Sequence, residues 1–175
     1  MDQSLTPLHQ ASTAFETLGL KVQFIKKNKD IPGEMAFSTL GMDEYEKAIP
    51  FHMQQETQTI EMDVNENSKN SVKKITFFFL SFIVTVPIQI PPDKADEILH
   101  LLAIANKSLP FGAFNYSDNE QAVYFRYTMP ILDQAPSQES YVVILNGILF
   151  AKETFFSLIH EVAVGNETVT SLLEE

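Results

Sequence analysis

The most apolar run of the chain lies between Lys74 and Asp93. Every even position from 78 to 90 is hydrophobic, as expected for one side of a strand that packs on a core. Ten of the twelve residues from 75 to 86 are β-branched or aromatic, which favours a strand over a buried helix. Prolines at 87, 91 and 92 break the run, so it does not predict a membrane helix.

The odd positions of the same strand are apolar at its beginning, at Ile75, Phe77, Phe79 and Ile83. The first half of the strand is therefore predicted to be buried on both sides. Leaving Phe77 and Phe79 in water forgoes roughly 1.5–3 kcal/mol each. We expect a second copy of the chain to cover them in a homodimer; the alternative is a helix of the same chain.

The remaining patterns predict helices before, between and after clustered strands. Thr6 and Pro7 begin a first amphipathic helix that ends before Gly19, and Pro136 and Ser137 begin a last helix that Gly165 ends. A middle helix begins at Asp93, with one apolar face. Its members are Ala95, Ile98, Leu99, Leu102 and Ala105. The predicted strands are 34–41, 48–64, 75–90, 112–116 and 122–129, and residues 20–26 form either a further strand or an extended connection. This order predicts an α+β fold with a mostly antiparallel sheet.

Composition limits the class of protein further. A chain of 175 residues is expected to form a single domain over residues 1–175. Its formal net charge of -11 would repel phosphate backbones and anionic lipid, so neither nucleic acid nor a membrane is an expected partner. The chain has no cysteine and its first residues lack the apolar core of a signal peptide, which favours the cytoplasm.

Recognisable catalytic chemistry is absent from the sequence. The four histidines, at 9, 52, 100 and 160, never occur at the i, i+4 spacing of a helical metal pair, and no glycine-rich loop precedes a helix. We therefore predict no catalytic residue, no metal and no cofactor. Arg126 is a basic residue inside an apolar strand. It either stacks on a neighbouring aromatic ring or binds a carboxylate.

The chain from about residue 91 to 165 has a familiar order of elements. The sequences are PPDKADEILHLLAIANKSLPFGAFNYSDNEQAVYFRYTMPI and LFAKETFFSLIHEVAVG. They predict a helix that ends in an asparagine, then a glycine-containing strand, a short turn, a second strand and a long closing helix. This stretch resembles the YbjN family of bacterial proteins, which shares its fold with type III secretion chaperones. The resemblance implies a chaperone-like fold, a tendency to form homodimers, and a peptide-binding or regulatory role without catalytic residues.

Two classes of function remain open from the sequence. The first is a non-enzymatic chaperone-like or regulatory adaptor that binds a polypeptide through apolar surface, with Phe77, Phe79, Ile83 and Arg126 as the candidate partner-binding residues. The second is a small-molecule sensor or an enzyme whose pocket residues converge only in space. A groove or dry interface would favour the first class, and a closed polar pocket would favour the second.

Overall fold

A computed structural model describes the backbone of residues 6–25, 33–66, 69–132 and 136–173, and their side chains except those of 62–66, 69–73 and 173. The helices are α1 Pro7–Thr17, α2 Ala95–Ser108, α3 Gln138–Val164 and α4 Val169–Leu173, with a 3₁₀ turn at Pro92–Lys94. The strands are β1 Gln23–Ile25, β2 Met35–Met42, β3 Ala48–Glu66, β4 Lys69–Gln89, β5 Ala113–Ser117 and β6 Ala122–Ile131. The predicted α+β class, with helices before, between and after the strands, is confirmed.

The six described strands form one antiparallel sheet in the order β1-β2-β3-β4-β6-β5, with β4 inside it. The even side of β4 faces the helices, and Leu80, Phe82 and Val84 on that side are fully buried. Phe15 of α1 contacts the rings of Phe51 and Phe82, at 5.3 and 5.6 Å between ring centroids. The predicted core side of the strand is therefore the side on which the helices pack.

The helix ends follow the predicted capping residues. The hydroxyl of Thr6 accepts a hydrogen bond from the backbone N–H of His9 at 3.4 Å, and the hydroxyl of Ser137 accepts one from Ser140 at the same distance. Gly165 ends α3 with a φ of 80°, which a glycine adopts without the steric cost that a Cβ imposes.

The prediction that Leu99 belongs to the buried face of α2 is wrong. Leu99 is 46% exposed, whereas Leu101, which the pattern left out, is buried with Ile98, Leu102 and Ala105. These four positions have the i, i+3, i+4, i+7 spacing of a single helix face. Leu99 lies beside that face rather than on it.

Asn106, near the end of α2, connects the helix to the strand that follows. Its side-chain amide donates to the carbonyl oxygen of Phe114 at 3.0 Å, and its side-chain oxygen accepts from the N–H of Phe114 at 2.7 Å. The side chain thus satisfies both backbone groups of a residue in β5, in the way that a neighbouring strand would.

Helix α3 is, within the described part of the chain, the one helix whose length and composition would suffice to cross a membrane. Core helices of soluble proteins also meet that criterion, and nine residues of α3 are buried in this fold. The other residues include Val143, Phe150 and Val164, which are exposed.

The β3–β4 hairpin extends well past the strands beside it. The ladder to β2 ends at Gln54, and the ladder to β6 ends at Phe78. Beyond these points, residues 58–66 and 69–77 pair only with each other among the described strands, and we call this two-stranded segment the arm. The sequence predicted strands over 48–64 and 75–90, which left residues 65–74 as their connection. The strand instead begins at Lys69, so the connection between β3 and β4 is shorter than expected.

Gly147 lies in the middle of α3, and the helix continues through it without a break. A Cβ at this position would overlap the ring of Phe111, which packs directly against the helix backbone. The Phe111 ring is in turn 4.9 Å from that of Tyr127, between centroids. The absence of a side chain at 147 therefore lets the loop before β5 pack on α3.

We predict that Gly147→Ala destabilises the protein by about 1–3 kcal/mol, through the clash with Phe111. Helix propensity alone gives the opposite sign, because alanine in a helix is favoured over glycine by roughly 1 kcal/mol. Urea unfolding of the wild type, Gly147→Ala, Phe111→Leu and the double variant measures both effects. A Gly147→Ala protein more stable than the wild type would contradict the packing described here.

Candidate functional site

The sheet has a second side, opposite the helices, which we call the outer face. Successive side chains of a strand point to opposite sides, so the odd positions of β4 lie on the outer face. Their ladder partners on β6 are Arg126 opposite Ile83, Thr128 opposite Ser81 and Pro130 opposite Phe79. All four residues proposed from sequence, Phe77, Phe79, Ile83 and Arg126, therefore lie on this face.

Phe77 and Phe79 lie where the arm leaves the rest of the sheet. Their rings meet edge to face with centroids 5.3 Å apart, and both side chains are half-buried, as is that of Ile75. Ile60, the ladder partner of Ile75, is 49% exposed. We call these four residues, Ile60, Ile75, Phe77 and Phe79, the arm-root surface. It is an apolar strip on the side of the sheet that the described helices leave open.

The opposite side of the arm is polar. The hydroxyls of Thr59 and Thr76 are hydrogen-bonded at 3.2 Å, and the amine of Lys74 is 2.7 Å from a carboxylate oxygen of Glu61. All four side chains are exposed. Over residues 58–61 and 74–77, the part of the arm whose side chains are described, one side is therefore suited to water and the other carries Ile60, Ile75 and Phe77.

Arg126 is held on the outer face by a small polar network. Its Nη2 donates to Ser81 Oγ and its Nε donates to Thr128 Oγ1, both at 3.1 Å. A carboxylate oxygen of Glu56 is 4.0 Å from Nη2 in a pair that is largely solvent-exposed. Because its side chain is 38% exposed and its guanidinium has more donors than these two bonds use, Arg126 is a cation held at the surface that can still donate to another group.

The structure separates Ile83 from the two phenylalanines. Ile83 is only 8% exposed, and its neighbour Ser81 is 1% exposed, although no described helix covers this side. Ile83 is thus packed among the side chains around Arg126, while Phe77 and Phe79 are grouped with Ile75 and Ile60. The sequence did not indicate Ile60, because its place beside Ile75 depends on the register set by the position of the turn.

A cleft of about 170 Å³ lies on another part of the molecule, between the β2–β3 turn and α3. Val86, Pro87 and Phe156 contribute apolar surface, and Lys152 and Ser157 contribute polar groups. The cleft is open to solvent on one side. It is the feature that corresponds best to the small-molecule class of function.

Tyr45 fixes the turn that borders this cleft. Its ring stacks on that of His160 with centroids 3.5 Å apart, and its hydroxyl donates to Glu161 at 2.5 Å. This hydrogen bond, more than burial, raises the pKa of Tyr45 to about 12. The same bond is the main cause that lowers the pKa of Glu161, followed by the hydrogen bond from Asn166.

The histidines occupy structural positions. His9, His52 and His160 stack on Phe24, Phe37 and Tyr45, respectively, and His100 is exposed on α2. Within the ranges that the structure describes, no three histidine, aspartate or glutamate side chains are grouped so as to hold a metal ion.

Residues 77–161 match the model of the YbjN family, described as "Putative bacterial sensory transduction regulator". The resemblance predicted from sequence is confirmed for this segment, and the match begins earlier than predicted, inside β4. Searches of curated proteins and of solved structures give no significant match.

The YbjN segment contains most of β4 together with α2, β5, β6 and most of α3. It begins at Phe77, which is the residue where the arm meets the rest of the sheet. The match therefore includes Phe79, Ile83 and Arg126 and, apart from Phe77 itself, leaves the arm outside it. It relates this segment of the chain to the described family and identifies no individual residue as functional.

We predict that Tyr45 and Tyr141 ionise at higher pH than an ordinary tyrosine. Each has a pKa of about 12, Tyr45 because of its hydrogen bond to Glu161 and Tyr141 because of burial. In an ultraviolet titration of tyrosinate, Tyr45→Phe should have one tyrosine fewer that ionises near pH 12. Glu161→Gln should return the pKa of Tyr45 towards its ordinary value of 10.0, because the carboxylate that accepts from the phenol is gone.

The sign of the linked stability follows from these values. Folding raises the pKa of Tyr45, so its contribution is present below pH 10.0 and is lost as the pH rises from there through about 12. Two late tyrosines remaining in Glu161→Gln would show that the hydrogen bond to Glu161 is not the cause.

Proposed function

We propose that this protein is a non-enzymatic regulatory adaptor that binds a polypeptide on the outer face of its sheet. The family description, a sensory transduction regulator, supports the regulatory part. The observation that carries the binding part is the arm-root surface, where two phenylalanine rings and two isoleucines lie on a side of the sheet without a described helix. Contiguous apolar surface of this kind usually marks an interaction site.

The geometry favours an extended segment as the bound partner. The apolar side chains of the arm-root surface follow a strand at alternate positions, so a segment in β conformation can present its own alternate side chains to them. Phe77 and Phe79 would supply the apolar contacts, and Arg126 would bind a carbonyl or a carboxylate of the partner. Ile83, being packed, would support Arg126 rather than contact the partner.

Electrostatics favour a partner with basic flanks. The net charge of -11 speeds the encounter with cationic segments, and Glu56 is an exposed carboxylate beside Phe79 on the neighbouring strand. Association with such a segment would weaken as salt is added, because surface charges are screened. Cytoplasmic location and a type III secretion chaperone-like fold are part of this proposal.

Selection from a display library of short random peptides tests the proposal. We expect enriched peptides with apolar residues at alternate positions and Lys or Arg at the flanks. Phe79→Asp should reduce their binding about tenfold or more, because truncating a central contact typically costs 1–2 kcal/mol or more.

Val143→Asp is the matched control. Val143 is 60% exposed on α3, so the variant adds the same charge at an apolar surface residue away from the outer face, and binding should be unchanged. Circular dichroism and thermal melting establish that each variant is folded. If Phe79→Asp unfolds, Phe79 belongs to the core and the proposed location is wrong.

The cleft beside Tyr45 supports a second candidate, a sensor of small molecules. The apolar lining by Val86, Pro87 and Phe156 and the polar groups of Lys152 and Ser157 suit a very small ligand with one polar end. Screening a fragment library by NMR should then give hits whose binding is lost in Ser157→Trp, which fills the cleft. Hits that bind Ser157→Trp equally well would exclude this location.

A further inference from the structure

The turn between β2 and β3 is held together by its own hydrogen bonds. Oδ1 of Asp43 accepts from the backbone N–H of Tyr45 at 3.0 Å and from that of Lys47 at 2.7 Å. The backbone N–H of Asp43 donates to the carbonyl oxygen of Lys47 at 2.8 Å, and Glu46 completes the turn with a φ of 60°. Because these bonds lie within the turn, its shape does not depend on what it packs against.

The turn is joined to the rest of the sheet at an irregular place. The ladder between β2 and β3 shifts its register between Thr39 and Met42. Gly41, inside this shift, has a φ of 83°, and a Cβ there would meet no other described part of the chain within 4 Å. Pro50, opposite Thr39, has no N–H to give to the ladder. A few residues of this kind, at the end of an element, are where a hinge is expected.

Burial changes abruptly at the same place. Leu40 is half-buried and Ile49 is fully buried, so the strands are anchored in the core up to this level. From residue 42 to residue 48, no side chain is buried. Within the described chain, Tyr45 alone among these seven residues has a ring contact or a side-chain hydrogen bond to α3. The position of the turn against α3 therefore depends on one side chain.

The cleft beside the turn is small for a binding site. Its volume is about 170 Å³, whereas pockets for small molecules usually have about 300–1,000 Å³. The turn forms one wall and α3 the other, and Val86 and Pro87 of β4 lie between them. A larger ligand fits only if one wall moves. The turn is the wall that the core does not hold.

We propose that residues 42–48 are a hinged lid over this cleft, that Tyr45 latches the lid to α3, and that opening of the lid admits a metabolite-sized ligand with an apolar body and one hydrogen-bonding group. The apolar body would pack on Val86 and Phe156, and the polar group would bind Lys152 or Ser157. The inference is separate from the polypeptide site on the outer face. It rests on the second candidate function for the location of the ligand.

The latch has two parts that variants can separate. The ring of Tyr45 stacks on His160, and its hydroxyl donates to the carboxylate of Glu161. A hydrogen bond to a charged group is stronger than one between neutral groups. Tyr45→Phe removes the donor and Glu161→Gln removes the charge, while both keep the ring contact. Each change should raise the fraction of open lid about tenfold or more.

Cysteine labelling tests the lid without a known ligand, since the natural chain has no cysteine. Ser157→Cys places a thiol in the cleft. With the bulky fluorescein maleimide, we expect Tyr45→Phe and Glu161→Gln each to speed labelling of this thiol about tenfold or more. The two together should add little to either one, because both break the same bond. The small reagent iodoacetamide should respond less, because it needs less room.

Two further cysteines are matched controls. Val143→Cys lies on exposed surface of α3 and should react at the same rate in every background. Ala105→Cys is buried in α2, so its labelling reports opening of the whole fold and should stay slow. Equal acceleration at Ala105→Cys would show that the variants loosen the entire protein, and would overturn the inference. A maleimide rate at Ser157→Cys that ignores both latch variants would overturn it too.

The fragment screen separates the lid from the functions proposed above. Fragments that bind in the cleft should bind more tightly to Tyr45→Phe, because a larger fraction of the protein is open before binding. Fragments that bind both proteins equally, with labelling that ignores the latch, support the small-molecule sensor and contradict the lid. Labelling that follows the latch, with no fragment in the cleft, supports the lid and contradicts its ligand. Peptide binding on the outer face should be unchanged in Glu161→Gln, so its failure bears on the adaptor alone.

Discussion

The structure depends on β4, a strand with apolar side chains on both sides. The described helices pack on only one side of the sheet that contains it. On the helix side, Leu80, Phe82 and Val84 of β4 are fully buried against α1 and α3. On the outer face, the apolar side chains of β4 are in two different environments. Around Ile83, the side chains of neighbouring strands and the polar network of Arg126 close the surface. At Phe79, β2 has ended while β6 still pairs through Pro130, and at Phe77 β6 has ended as well; both rings stay partly exposed.

This difference along one strand connects the fold to its proposed role. The YbjN segment supplies the closed part of the sheet and the helices α2 and α3, and it begins at the residue where the arm starts. The proposed role needs a stable body and an apolar surface that a partner can cover. The arm-root surface suits the second requirement, because its apolar residues are only partly buried and would lose further contact with water on binding.

Much of the fold could be predicted from sequence because the signals are local. Thr6, Ser137 and Gly165 mark helix ends through their own backbone and side-chain chemistry, and the alternation in β4 identifies its core side. Other features depend on tertiary register. Ile60 belongs to the arm-root surface because it pairs with Ile75 across the ladder. Leu99 is exposed because the face of α2 that packs is the one that contains Leu101. Asn106 bonds to β5, a contact that the pattern of a helix does not indicate.

In the proposed role, a bound polypeptide covers the arm half of β4, whereas the other half is buried by its own chain. Amide hydrogen exchange across β4, measured with and without a selected peptide, tests this role directly. We expect protection of residues 80–86 in both cases, and protection of residues 69–77 that rises when the peptide is added. Equal protection of both halves, with no response to peptide, would contradict the account.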